Sequence, residues 1–130
     1  MLPAIVLIDH GSREPAANAV LDRVAELLRA RFPQQSIHVA HMEHGPPLLG
    51  DAIDACAAEG AREIVVHPYF LTPGRHSVQD IPRLVEEAAA GVPDLTVRVT
   101  EPLGVHEGIV DAICDRIAAV SGSGDRFRSG

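Results

Sequence analysis

Tryptophan is absent from this sequence, aromatic residues make up 3% of it, and only two cysteines occur. Two thiols, Cys56 and Cys114, exclude a disulfide framework and a four-cysteine metal site. Each falls among apolar positions of an amphipathic stretch (Ile53 and Ala57 around one, Ile113 and Ile117 around the other), so both are expected to pack inward without a chemical role. Positive charge is scarce as well: 11 basic residues against 18 acidic ones leave a net charge of -7, and every basic residue is arginine. That balance supplies no basic face, so no nucleic-acid partner is expected. Arginine without lysine makes the guanidinium fork the sole permanent cation for holding carboxylates or phosphates. No hydrophobic run approaches the roughly 18 residues of a membrane-spanning helix. The first nine residues carry no basic start and no small-residue cleavage site. No membrane association is expected, and a cytoplasmic location is.

What the chain does have is a 46% hydrophobic composition within 130 residues. A single domain of that size buries roughly two-thirds of its unfolded surface. Short aliphatic runs alternate with amphipathic stretches four times, the pattern of a parallel sheet covered by helices. Residues 4–9 (AIVLID) form a near-continuous apolar run, as expected of a strand buried on both faces. A helix should open near Pro15, with Ala17, Val20, Leu21, Val24 and Leu28 at helical spacing. Residues 36–42 (SIHVAHM) read as a second strand, residues 47–59 as a helix stopped by Gly60, and residues 63–71 (EIVVHPYFL) as a third strand whose regular pairing ends at Pro68. Asp80 is expected to cap a helix running to Ala90, residues 95–100 to form the fourth strand, and residues 106–120 to form a last helix with Ile109, Ile113, Ile117 and Val120 on one face. The expected fold is a flavodoxin-like α/β domain over residues 1–121, with a four-stranded parallel sheet and helices on both faces. A flexible tail over residues 122–130 (GSGDRFRSG) should follow.

In open α/β sheets, ligands bind beyond the carboxyl ends of the strands, where the strand order reverses. For the order 2-1-3-4, the loops after the first three strands meet in one crevice. These loops are Asp9-His10-Gly11-Ser12-Arg13, His41-Met42-Glu43-His44 and Thr72-Pro73-Gly74-Arg75-His76. They would bring imidazoles, a carboxylate and two guanidiniums to one edge of the sheet. His10 follows a buried strand and precedes a glycine, so it should emerge where backbone can approach a ligand. His76 lies beyond a Pro-Gly turn in a stretch with no apolar periodicity, where no core histidine is needed. His38 and His67 are expected to be strand residues without chemical roles. Two neutral imidazoles and one carboxylate suit Fe(II) or Co(II), and the same imidazoles accept protons near neutral pH. No HExxH, Walker A, GxGxxG or GxSxG motif competes with this reading.

The stretches LIDHGSRE, AHMEHGPPL, PYFLTPGRHSVQDIP and EPLGVHEGI resemble the short class II chelatases of the CbiX and SirB type. These are lyases that insert Fe(II) or Co(II) into sirohydrochlorin on the way to sirohaem or cobalamin. The resemblance runs from about Ile5 to Ile117, and its most specific segment is PGRHxxxDIP. It implies that His10 and His76 are the catalytic pair, binding the metal and taking up pyrrole protons. Glu43, from the AHME segment, is implied as a third metal contact or proton acceptor. Arg13 and Arg75, with Ser12, are the groups expected to hold the carboxylates of the macrocycle. The metal is then a substrate, and no permanently bound cofactor is expected. Longer members of the family contain two such halves, so a homodimer is expected of this chain; its tail has no cysteine, so no iron–sulfur cluster is. Two rival readings are a carrier that binds metal or tetrapyrrole without turnover and a histidine phosphatase. The phosphatase is disfavoured because Asp9, immediately before His10, would repel a phosphate.

Overall fold

A computed structural model describes residues 2–72 and 75–121, with the backbone alone for residues 75–79. The chain runs β1 (Ala4–Asp9), α1 (Pro15–Arg31), β2 (Ile37–His41), α2 (Leu49–Ala58), β3 (Glu63–Pro68), α3 (Arg75–Ala89), β4 (Thr96–Val99) and α4 (Glu107–Val120). The four strands form one parallel sheet in the order β2-β1-β3-β4. β1 pairs with β2 from Ile5–Ile37 to Asp9–His41, and with β3 from Ala4–Ile64 to Ile8–Pro68. β3 ends at Pro68 as expected, at a residue with no N–H to give the ladder, and one further backbone bond to β1 follows it.

Alternation along the strands divides the core between the two faces of the sheet. Val6, Ile8, Ile64 and Val66 point toward α2 and α3, where Leu49, Ile53, Cys56 and Ile81 close over them. Leu7 and Ile37 point the other way, against Leu21 and Ala25 of α1. α1 opens with Pro15 in its first turn, and its Arg29 guanidinium donates to the Ile37 carbonyl, tying the helix to edge strand β2. Cys56 is buried, as expected, whereas Cys114, on α4, is only partly covered.

Two expectations need correction. Asp80 does not cap α3, which begins at Arg75; Asp80 lies within the helix and faces Arg83 at 3.7 Å, an i,i+3 pair. α4 occupies the expected residues, but its apolar face does not point inward. Among the described residues, none of the helix is buried, Ile113 is 52% and Val120 90% exposed, and it packs closely against no other element. The reason lies on the α1 side of the sheet, where α1 covers β1 and β2 and no helix covers the neighbouring face. There an open groove of about 520 Å³ is lined by Leu7, Val24, Leu28, His67, Tyr69 and Leu103. The tail expected over residues 122–130 lies outside the described residues.

Candidate active site

β1 and β3 are neighbours, but α1 leaves β1 toward one face while α3 follows β3 onto the other. The strand order reverses between them, which opens a crevice at their carboxyl ends. His10 and Phe70 stand on its two sides. The His10 ring is exposed and stacks on the buried Phe70 ring, with centroids 4.1 Å apart and planes 24° from parallel. Phe70 is held in place because the Tyr69 N–H donates to the Ile8 carbonyl (2.7 Å), carrying the β1–β3 pairing one step beyond Pro68. Phe70 also lines an apolar groove of about 200 Å³ with Ile81, Pro82, Val99 and Pro102.

The turn carrying His10 is closed from beneath. The Asp9 Oδ1 accepts from the Gly11 N–H at 3.0 Å and faces the Nδ1 of His41 at 2.5 Å. A carboxylate oxygen only accepts, so the His41 Nδ1 is the donor. His41 is only 4% exposed, which corrects the expectation that it stands among the rim imidazoles. The β1–β2 register sets Asp9 directly opposite His41, so its ring turns inward onto that carboxylate. Gly11 has φ +84°, and a Cβ there would lie 1.9 Å from the Glu43 carbonyl oxygen; glycine is what lets the two segments touch. The Met42 N–H donates to the Asp9 carbonyl and the Glu43 N–H to the His10 carbonyl, at 2.9 and 3.2 Å.

Glu43 is thereby fixed beside His10 through its backbone. Its exposed side chain lies 3.3 Å from the neighbouring imidazole of His44. Ser12 accepts from the Glu14 N–H through its hydroxyl oxygen (3.1 Å), and Asn18 clamps its backbone from both sides, accepting from its N–H and donating to its carbonyl. Arg13 is exposed at the start of this clamped turn. Arg75 and His76 occupy the first turn of α3, and their side chains lie outside the described residues. Among the described residues, no three His, Cys, Asp or Glu side chains converge on a metal-sized point.

Of the residues that the sequence singles out, His10, Ser12 and Arg13 lie on the segment after β1 and Glu43 on the segment after β2, and the structure brings these two segments together at one edge. Sequence reasoning did not foresee the Asp9–His41 pair, the Asn18 clamp or the stacking on Phe70. A signal for the first was available in the alignment of two parallel strands that each end in a polar residue.

The family model of CbiX matches residues 4–120. The chain is 37% identical over 113 residues to the chloroplastic sirohydrochlorin ferrochelatase of Arabidopsis thaliana, covering 87% of this chain and half of that relative's length. It is 30% identical over 139 residues to the sirohydrochlorin cobaltochelatase of Methanocaldococcus jannaschii, covering 88% of this chain and 97% of the relative. Among solved structures, the sirohydrochlorin chelatase SirB from Bacillus subtilis subspecies spizizenii, in complex with cobalt, superposes with a TM-score of 0.83 at 28% identity. That match covers 92% of this chain and 51% of SirB. With residues 4–120 of its 130 inside the family model, this protein belongs to the CbiX family.

Proposed function

We propose that this protein is a metallochelatase that inserts Fe(II) or Co(II) into sirohydrochlorin. The observation that carries the reading is the presentation of His10 at the β1/β3 switch point, flat against Phe70 and held in a closed turn, in a chain whose relatives are named for this reaction. Stacking engages a face of the imidazole and leaves the in-plane lone pair of its nitrogen free for a metal or a proton. His10 and His76 are the metal ligands and proton acceptors, with Glu43 as the third contact. Insertion replaces two pyrrole N–H protons by one divalent cation, and the imidazoles take up protons at neutral pH. Arg13 and Arg75 pair with carboxylates of the macrocycle, each charge-assisted bond contributing roughly 1.5–3 kcal/mol, and Ser12 adds a polar contact. Metal is therefore a substrate, and the location proposed for the protein is cytoplasmic.

The functional unit is a homodimer. This chain spans about half of the Arabidopsis relative and of SirB. Among the described residues, nothing covers two apolar surfaces, the outer face of α4 and the groove beside α1. One copy's α4 laid in the other's groove would cover both at once.

An anaerobic absorbance time course with sirohydrochlorin and either Fe(II) or Co(II) tests the function. Multiple turnovers are expected, lost in His10→Ala and in His76→Ala without loss of folding. Near-wild-type rates in both variants would sink the assignment of the pair, and binding without turnover in the wild-type protein would make it a carrier. The ratio of the two metal rates identifies the physiological metal.

A further inference from the structure

Beneath the exposed imidazole of His10 lie two ionisable side chains that do not reach the crevice: His41 is buried, and the Asp9 side chain is 19% exposed. A single oxygen, Oδ1 of Asp9, holds both the Gly11 N–H and the His41 Nδ1. The first of these bonds joins the side chain of one residue to the backbone two positions on, a ring that encloses the backbone of His10. The second fixes the carboxylate by anchoring it to a ring packed inside the domain. We propose that Asp9 and His41 form a positioning pair: His41 orients the Asp9 carboxylate, the carboxylate closes the turn, and the closed turn sets the His10 ring against Phe70. The pair touches neither metal nor macrocycle and acts only through His10. The inference rests on the reading of His10 as a metal ligand and assigns that ligand its supporting shell.

Three observations favour positioning over simple stabilisation of the fold. Of the two bonds of Asp9, one closes the turn that carries His10, and the other anchors the carboxylate to His41 at the end of the adjacent strand. The turn is held against the segment after β2 by the bonds of the Met42 and Glu43 N–H groups to the Asp9 and His10 carbonyls, and at Gly11 the two segments lie so close that only glycine fits. The ring of His10 makes one stacking contact, with Phe70, and that contact needs the His10 backbone where the turn places it. Groups that orient a metal ligand through a hydrogen bond change affinity or activity by about 10- to 100-fold when removed.

The two roles separate in Asp9→Asn and Asp9→Ala. Asparagine keeps an oxygen acceptor for both donors and drops the charge, whereas alanine removes the acceptor. Two measurements are needed on the full chain. One is the chemical shift of the His10 ring protons, which stacking on Phe70 moves upfield, at a pH where the imidazoles are neutral. The other is kcat and KM for metal insertion. Asp9→Ala is expected to lose most of the upfield shift and to lower kcat by about 10- to 100-fold, with a much smaller change in KM. Asp9→Asn should keep the shift and stay within about threefold of the wild-type kcat, well inside the effect of removing the acceptor. A folded Asp9→Ala with wild-type shift and kcat overturns the proposal, and so does an Asp9→Asn as impaired as alanine, since charge and not geometry would then be what matters. If Asp9→Ala does not fold, His41→Leu removes the anchor while leaving the carboxylate, and an unmoved His10 resonance in that variant overturns it as well. A wild-type protein that inserts no metal defeats the proposed function alone, because the resonance still decides whether the pair positions His10.

Discussion

The rings of His10 and Phe70 lie stacked, 4.1 Å between centroids and 24° from parallel, joining the carboxyl ends of two neighbouring strands across the crevice. Stacking fixes the plane of the imidazole while leaving its nitrogens at the edge, and an aromatic pair contributes about 0.5–1.5 kcal/mol beyond the area it buries. Phe70→Leu should therefore lose little stability but misplace the imidazole, with a fall in the insertion rate of tenfold or more on the order expected for an ångström of misalignment. Phe70→Ala, which also opens a cavity at a 7% exposed position, should cost about 3–5 kcal/mol. Urea unfolding beside steady-state rates separates the two effects; equal rates in Phe70→Leu and wild type would mean that the stack does not orient His10.

Gly11 offers a harsher test of the same turn. At φ +84°, with the Glu43 carbonyl oxygen 1.9 Å from the place a Cβ would take, alanine can be accepted only by pushing the segment after β2 away from β1. Strain in that backbone region costs about 1–3 kcal/mol. Gly11→Ala is expected to unfold at lower urea and to lose activity out of proportion to its stability, since the displaced segment carries Glu43. Full activity in a destabilised variant would show that Glu43 need not sit where it does.

Much of this architecture was legible in the sequence because buried parallel strands leave a strong mark. Residues 4–8 are apolar without interruption, and Pro68 marks the end of the third strand. The start of α3 was not legible: Asp80 followed two residues later by Pro82 has the look of a cap and a first turn, yet both lie inside a helix that begins at Arg75. His41 was misplaced because sequence shows which residues end a strand but not the register that faces Asp9 with His41. The outward apolar face of α4 was misread for a different reason. Periodicity reveals that Ile109, Ile113 and Ile117 share a face, but it carries no information on whether the surface that covers them belongs to the same chain.

Acid should weaken the fold in two stages. Burial holds the half-buried His67 imidazole, hydrogen-bonded to the Thr100 hydroxyl, below the ordinary histidine value of 6.5. The unfolded chain then binds the proton more tightly, so this contribution is whole above pH 6.5 and declines as the pH falls toward the folded value. Glu59 is held below its ordinary 4.5 chiefly by the Ser36 hydroxyl, and also by the His38 imidazole. Its contribution is present above pH 4.5 and is lost as the pH drops through the lowered value. Thermal unfolding across this range should show His67→Gln flattening the upper part of the curve and Glu59→Gln the lower part. An unchanged upper slope in His67→Gln would place the proton uptake elsewhere.

The exposed face of α4 leads to the prediction with the widest structural reach. Val110, Ile113 and Ile117 are 49%, 52% and 38% exposed, while Leu27, at the lip of the groove beside α1, is 72% exposed. Fully burying one such side chain contributes about 1.5–3 kcal/mol, so several buried together suffice to hold two copies in exchange for a helix that otherwise stands in water. Sedimentation of the wild-type chain should give a dimer. Ile113→Asp on the helix and Leu27→Asp at the groove should each weaken it toward monomer. The two variants differ in which surface they spoil: the first keeps a sound groove and the second a sound helix. Mixed, they can form one intact helix-in-groove contact out of two, so the mixture should dimerise more strongly than either variant alone. A dimer that is indifferent to both substitutions would have to form through another face. A monomer with α4 protected from amide exchange would show that the helix folds back over its own sheet.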